Sequence, residues 1–401
     1  MSKTLMLLGG SRYLMPVIEM AHELDCKVIT CDYLPDNYAH KFSDKYVNVS
    51  IIEKDAVLKV ANAYDIDGIM SFACDPGVLT AAYVAEKMEL PYGGSYESVE
   101  ILQNKRKFRD FLLSNGFNTP KAKGVNNVRD AKDVIDDFRF PFIVKPVDSA
   151  GSKGVTKVEK KEAIIGAVER AFNNSINGEI VIEEFIDCKG HPSDSECFSI
   201  DGNMCFVSFS AQRFDASCEN PFVPAGFTWM STISEKNQNI LSEELCRLIQ
   251  LLKMRTTLYN VEARESREGI PYIMEVSPRG GGNRLAEMIR YSTGVDLIKL
   301  AILASLGEQI TDIPIYDQDY KWAEIVLHSK RQGEFKEIRV ADCIKDYIVD
   351  MDIWVKQGEV IESFSGANKA IGTMIMRFDS VEMTNKVMDD FDKYISVETN
   401  L

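Results

Sequence analysis

The chain has 401 residues, too many for one ordinary core, and at roughly 150 residues per domain it divides into two or three domains. Apolar residues make up 45% and charged residues 27%, which excludes wholesale disorder and fibrous repeats. With 46 Lys+Arg against 61 Asp+Glu the net charge is −15, which disfavours non-specific binding to nucleic acid or an anionic membrane and obliges any phosphate chemistry to gather its cations locally.

The first 95 residues alternate short apolar runs with amphipathic stretches. Thr4 to Leu8 reads as a strand, Met15 to Leu24 as a helix, Lys27 to Cys31 as a strand, Ala56 to Ala63 as a helix and Gly68 to Phe72 as a strand. Asp75-Pro76 reads as an N-cap followed by Pro at the first helical position, opening a helix toward Lys87. Strands separated by helices predict a parallel sheet covered on both faces. The first apolar run stops at Gly9-Gly10, far short of the roughly 20 residues a membrane span needs, and no signal-peptide pattern is evident. The first turn, Gly9 to Leu14, lacks GxGxxG, and Asp32 after the second strand is weak evidence for a ribose site, so this loop is expected to help hold another substrate.

After Pro91-Tyr92-Gly93-Gly94 regular alternation ceases. Helices are predicted at Lys105 to Leu113, Asp130 to Asp137, Glu162 to Phe172, Glu243 to Leu252 and Arg284 to Tyr291. Strands are predicted at Pro141 to Pro146, Glu179 to Phe185, Glu196 to Ile200, Met204 to Ser210, Leu258 to Arg264 and Tyr272 to Ser277. From about Tyr320, turn-punctuated strands finish with a helix around Glu382 to Tyr394. The fold class is therefore α/β and α+β: an N-terminal parallel-sheet domain (1–95), a central module (96–315) and a C-terminal α+β segment (316–401). Nine scattered cysteines, none in CxxC spacing, read as buried residues of a reducing cytoplasm, and four distant histidines make a histidine metal site an unfavoured reading.

Four stretches carry chemistry. In Phe140-Pro-Phe-Ile-Val-Lys145-Pro146, a lysine ends an apolar strand, where burial is costly unless an anion meets it. Asp148-Ser-Ala-Gly-Ser-Lys-Gly154 follows, a loop whose glycines let backbone N–H groups close over phosphates. Ile180-Val-Ile-Glu183-Glu184-Phe185-Ile186 is an apolar strand turning acidic at its end, suited to reading adenine with main-chain groups. If Glu268-Gly269 forms a two-residue turn, Glu262 faces Glu275 and Asn260 faces Ser277 across a hairpin. Facing carboxylates repel unless a hard cation sits between them, and all-oxygen ligands suit Mg²⁺. The hairpin runs on into Ser277-Pro-Arg279-Gly280-Gly281-Gly282-Asn283, where three glycines suggest backbone passing close to a ligand and Arg279 is placed to bind phosphate or carboxylate. Neither GxxxxGK[ST] nor HRD with a downstream DFG is present.

In this order the stretches resemble the ATP-grasp superfamily, in particular its carboxylate-amine ligase branch, similar to L-amino acid ligases and carbamoyl-phosphate-synthase-like proteins, over nearly the whole chain. The resemblance implies a pre-ATP-grasp domain ahead of the nucleotide module, with ATP and Mg²⁺ as cofactors. It matches Lys105 and Lys145 to phosphate-contacting lysines, and the segment from Ser149 through Ser152 to Gly154 to the loop over the phosphates. Glu183, Glu184 and Ile186 match the adenine hinge, Glu196 the ribose-binding acid, and Glu262 and Glu275 the metal carboxylates. Many relatives place Asn where this chain has Ser277, so Ser277, Asn260 and Asn283 compete as third ligand, while Arg279 matches the arginine of an E-x-x-x-R pattern at the acyl-phosphate region.

The implied reaction is amide or peptide bond formation: a carboxylate attacks the γ-phosphate of ATP, and an amine then displaces phosphate from the acyl-phosphate, releasing ADP and phosphate. Lys145 and Arg279 carry the catalytic expectation. Partners are small-molecule carboxylates and amines, without nucleic acid or membrane; a homodimer and a cytoplasmic setting are compatible. Two alternatives stand beside it: an ATP-grasp enzyme activating bicarbonate, and a nucleotide-binding protein without catalysis.

Overall fold

A computed structural model describes residues 2–149, 151–314 and 320–400. At the N-terminus, Lys45–Asn48, Lys27–Asp32, Thr4–Leu8 and Gly68–Ser71 lie side by side in that order, all parallel. Buried side chains, mostly apolar, run nearly the length of the two middle strands because helices cover the sheet, as the alternating pattern required. Lys45–Asn48 is an addition to the sequence reading; as a half-buried edge strand it has no continuous apolar run to announce it. Gly10 answers to packing, since a Cβ there would lie 2.4 Å from Cε1 of buried His40. Asp32 is also occupied, accepting hydrogen bonds from Leu34 N (2.9 Å) and Asn37 Nδ2 (3.3 Å).

Two helices follow, Tyr96–Gln103 and Lys105–Ser114, each started by a side-chain cap, Ser95 accepting from Ser98 N and Asn104 from Lys107 N. Only the second had been expected. The first four-stranded antiparallel sheet of the central region orders Ala122–Val125, Ile180–Glu184, Phe142–Pro146 and Thr156–Val158. Helices Val128–Ile135 and Ile164–Asn173 bury one of its faces. A second sheet orders Asn203–Val207, Ser193–Ile200, Thr257–Glu265 and Pro271–Ser277, backed by Glu235–Leu251.

The expected hairpin pairing is present, by an unexpected route. Glu262 opposes Glu275 and Asn260 opposes Ser277, but nearer the turn Ala263 opposes Ile273 and Glu265 opposes Pro271. The connection is longer than two residues, with Ser266 N bonded to Ile270 O, and it shifts the register by one. The irregularity between Glu262 and Ala263, where Met274 is the extra residue, shifts it back. In an unbroken strand Glu275 would share the face of buried Ile273; the bulge turns it toward Glu262.

The C-terminal five-stranded sheet takes Ala211–Phe214 and Pro224–Trp229 from the middle of the chain and adds Lys321–Leu327, Gly372–Phe378 and Ile348–Ile353. A three-stranded sheet of Val360–Ile361, Gly333–Val340 and Ile395–Asn400 completes this part. The expected boundary at 315/316 lies outside the described residues, and the C-terminal sheet crosses that division because two of its strands precede it. The last α-helix is Val381–Met388; a single 3₁₀ turn at Phe391–Lys393 follows, and the chain then returns as a strand rather than ending helical. Helix Leu297–Ser305, apolar nearly throughout and missed in the sequence, packs on Met15–Glu23 and ties the N-terminal domain to the rest.

Candidate active site

The site lies between the two central sheets, where strand ends bring cations from one toward carboxylates from the other. Lys145 ends its strand half-buried and donates to Glu183 Oε1 at 2.8 Å, while Arg109 Nε donates to Glu183 Oε2 at 2.8 Å. Glu183 is 2% exposed. Burial opposes its ionisation, but Arg109 and Lys145 outweigh that and bring its pKa down to about 2. One carboxylate therefore serves two cations. Lys145 is the under-compensated one, its pKa lowered by burial and by Arg109 and Lys105, against the pull of Glu183. An anion arriving at Lys145 would relieve that imbalance.

Lys105, at the start of its helix, donates to Ser149 O at 3.1 Å and reaches Glu275 Oε1 at 3.4 Å. Burial disfavours its charge, but Glu275, Asp75 and Glu262 overcome this and raise its pKa. Arg109, which the sequence reading omitted, lies one helical turn from Lys105; that i, i+4 spacing was the available signal.

On the facing sheet, cross-strand neighbours form two polar rows, Asp194–Glu262–Glu275 and Glu196–Asn260–Ser277. Burial and the neighbouring Glu275 raise the pKa of Glu262; burial, Glu262 and Glu196 do the same for Asp194 against Asn260 and Arg279. The paired carboxylates thus lack sufficient protein cation, which fits a divalent ion with oxygen ligands. Ser277 Oγ donates to Asp75 Oδ1 (2.9 Å) and accepts from Gln103 Nε2 (2.7 Å), and Asn283 Oδ1 accepts from Tyr13 Oη (2.9 Å). Asn260 Nδ2 is held by Asp194 Oδ1 at 2.7 Å, and its Oδ1 receives no bond from a described residue.

Arg279 is not a free cation. Its guanidinium grips Asp75, Nε to Oδ1 and Nη2 to Oδ2, both at 2.8 Å, and donates to Gly280 O. Asp75 had been read as a helix N-cap; Cys74 holds that position, and the Asp75 carboxylate points to the glycine loop. Nothing in its sequence context distinguishes the two roles. The glycines are likewise explained within the protein: a Cβ on Gly280 would strike Phe72 at 2.1 Å and one on Gly281 would strike Glu196 Oε1 at 2.6 Å. Only Gly282 has room, its nearest neighbour being Tyr13 at 3.6 Å.

Glu196 is fully buried, accepts Gly281 N at 2.7 Å, and burial pushes its pKa up to about 7. It therefore supports the glycine loop from within the sheet. At the strand exit Glu184 is exposed and Ile186 buried, Lys157 lies 4.4 Å over the Phe185 ring, and Arg264 donates to Ile186 O. Ser152 (φ +58°) and Gly154 (φ +74°) turn the phosphate-loop candidate through left-handed conformations, and Ser152 Oγ donates to Phe222 O at 3.0 Å. Ala150 of that loop lies outside the described residues.

Among the described residues, the one His/Cys/Asp/Glu trio with ligand atoms within 4.8 Å is Asp215, Cys218 and His328, away from this site. Asp215 there already accepts from Ser217, His328 and Lys330.

Comparison with known proteins accords with this geometry. Residues 138–287 match the family model "ATP-grasp domain". The carbamoyl phosphate synthase large chain of Thermoanaerobacter pseudethanolicus is 29% identical over 239 residues, 59% of this chain and 21% of that protein. The chain thus spans about a fifth of the length of the curated relatives it matches. Among solved structures, L-amino acid ligase from Bacillus licheniformis superposes with TM-score 0.80 at 21% identity, covering 100% of this chain and 99% of the other. Phosphoribosylglycinamide synthetase from Anaerococcus prevotii gives 0.76 at 19% identity, covering 100% of both. Residues 138–287 therefore carry an ATP-grasp domain, within a fold that the chain shares over its full length with these two solved structures.

Proposed function

We propose that this protein is an ATP-dependent ligase that joins a carboxylate to an amine through an acyl-phosphate. The observation carrying this reading is the opposition of the under-compensated Lys145 cluster to the under-compensated Glu262/Glu275 pair, a cleft that suits a triphosphate with its divalent ion. Mg²⁺, held by Glu262 and Glu275 with Asn260 Oδ1 as third ligand, would supply charge neutralisation on the phosphates. Ser277 is the weaker donor for that role, since its Oγ already donates to Asp75 and accepts from Gln103.

A substrate carboxylate oxygen attacks the γ-phosphorus of ATP, ADP departs with the electrons of the broken P–O bond, and Lys145 and Lys105 offset the charge on the transferring group. An amine then attacks the acyl carbon, phosphate leaves with its oxygen, and the amine's proton passes to solvent or a neighbouring base. Arg279, fixed by Asp75, holds the glycine loop as a positioning residue. The loop from Ser149 to Gly154 covers the phosphates, and backbone N–H and C=O groups at Glu184 to Ile186 face adenine.

Incubation with MgATP and paired panels of carboxylates and amines, scored by phosphate release and product mass, tests the reading. Release dependent on both partners supports it. Release that requires bicarbonate in place of an organic acid would replace it with bicarbonate activation, and MgATP binding without any release would leave only nucleotide binding.

A further inference from the structure

Beneath the glycine loop the C-terminal sheet buries a carboxyl group that no described residue hydrogen-bonds. Glu324, in the central strand Lys321–Leu327, is 0% exposed, and neither oxygen receives a hydrogen bond from a described residue. Its cross-strand neighbours are Phe227 and Ile375, and the helix Leu285–Thr293 covers this face of the sheet. Arg284, just ahead of that helix, is the cation within electrostatic reach, but its guanidinium is already taken, by Glu287 Oε1 at 2.9 Å and Asp350 Oδ2 at 2.7 Å. Two acids thus neutralise one arginine before Glu324 is counted.

A second set of unpaired groups lies on the same face. Trp322, two residues from Glu324, is 5% exposed; Trp229, directly across from it, is half-buried, and the buried Nε1 of each has no acceptor among the described residues. Burial holds the Glu324 pKa well above the ordinary carboxylate value, and buried polar groups left without partners are costly, so a native chain retains them where something else satisfies them. The place is also at the site. Tyr13 of the N-terminal domain lies within electrostatic reach of Glu324, bonds Asn283 and sits opposite the one glycine with room, Gly282. Asn283 (φ +51°) and Arg284 (φ +54°) are consecutive left-handed residues, a strained turn where the loop leads into the helix that covers Glu324.

We propose that Glu324 is the specificity-determining counter-ion for a cationic amino group on the ligase's substrate, so that the substrate class is amine-bearing carboxylic acids rather than plain acids. A primary ammonium supplies three donors and one positive charge, which is what two unpaired carboxylate oxygens among acids lack. The inference rests on the ligase reading above.

The probes are the twenty L-amino acids, β-alanine and 4-aminobutyrate, each set against its desamino acid (propionate for L-alanine and for β-alanine, butyrate for 4-aminobutyrate), with the same excess of hydroxylamine as amine acceptor in every reaction and phosphate release measured under MgATP. Wild type is expected to use one or more amine-bearing acids at least 10-fold better in kcat/KM than the desamino counterparts. Glu324→Gln is expected to raise KM for the amine-bearing acid more than 10-fold and to abolish the discrimination, with MgADP affinity unchanged within 2-fold. Should that variant fail to fold, Glu324→Asp, which keeps the charge and withdraws it by one methylene, is expected to raise KM while retaining discrimination. Equal use of desamino acids by wild type, or an unaltered KM in Glu324→Gln, overturns the assignment of Glu324 and leaves the ligase reading standing. Absence of release with every acid, while MgATP still binds, overturns the ligase reading itself.

Discussion

Glu183 and Glu262 are both half-hidden strand glutamates in the sequence, yet their surroundings give them opposite consequences. Glu183 sits between Arg109 and Lys145, so Glu183→Gln leaves two buried cations without a counter-charge and is expected to cost about 3–5 kcal/mol, read as a lower Tm. Its folded pKa of about 2 lies below the ordinary carboxylate value, so its stabilisation is full above pH ~4.5 and is lost as pH falls toward 2. Glu183→Gln should therefore lose the part of wild-type acid sensitivity that falls in that window, visible in Tm against pH. Glu262 faces Glu275, and burial and that neighbour both penalise its charge. Glu262→Gln is expected to hold or raise Tm while cutting ATP turnover at least 100-fold, the trade between stability and activity expected where charge is kept for a ligand. A Tm drop with turnover intact would remove Glu262 from the metal site. Sequence pattern distinguishes these residues poorly, because the cations that neutralise Glu183 come from a helix 74 residues earlier (Arg109) and a strand 38 residues earlier (Lys145).

At the scale of elements, what could be read was what is local. Strand and helix identities through the N-terminal domain follow from periodicity, and Glu262 opposite Glu275 was legible from the hairpin, although a longer turn and the extra residue Met274 combine to give that pairing. A bulge has no signature when its effect is to cancel another shift. Ala211–Phe214 and Pro224–Trp229 were missed because each is short and pairs with a strand some hundred residues later or with a strand that does. The loop after Lys145 is legible by composition, and it yields a prediction of its own. Lys153 is exposed between Ser152 and Gly154, both in left-handed conformations, so trypsin should cut after it in the free protein. MgADP is expected to slow that cleavage at least 5-fold, followed by mass spectrometry of the Lys153 fragment. Unchanged cleavage under saturating MgADP would separate this loop from the phosphates.

For the whole molecule, the sheets define a different division from the one that length and composition suggested. Lys321–Leu327 is the centre of a sheet whose other edge begins at Ala211, and the core beneath it joins Phe227, Ala225 and Val223 to Ile325, Met374 and Phe378. Arg213 is 3% exposed and bound to Asp389, Asn385 and Thr228, a clamp between the middle of the chain and the Val381–Met388 helix. Residues 1–314 alone would leave Pro224–Trp229 as an unpaired edge over an open apolar face. That fragment is therefore expected to aggregate or to melt without a cooperative transition, whereas adding residues 315–401 as a separate chain should restore a cooperative melt if the two parts reassemble. A well-folded 1–314 fragment with wild-type MgADP affinity would mean that the central module stands alone. The proposed role of Glu324 in the completing strand makes the same point chemically: the proposed nucleotide and amino-group sites would be contributed by different sheets, and the glycine loop from Gly280 to Arg284 is a segment that touches both, through Glu196 and Asp350.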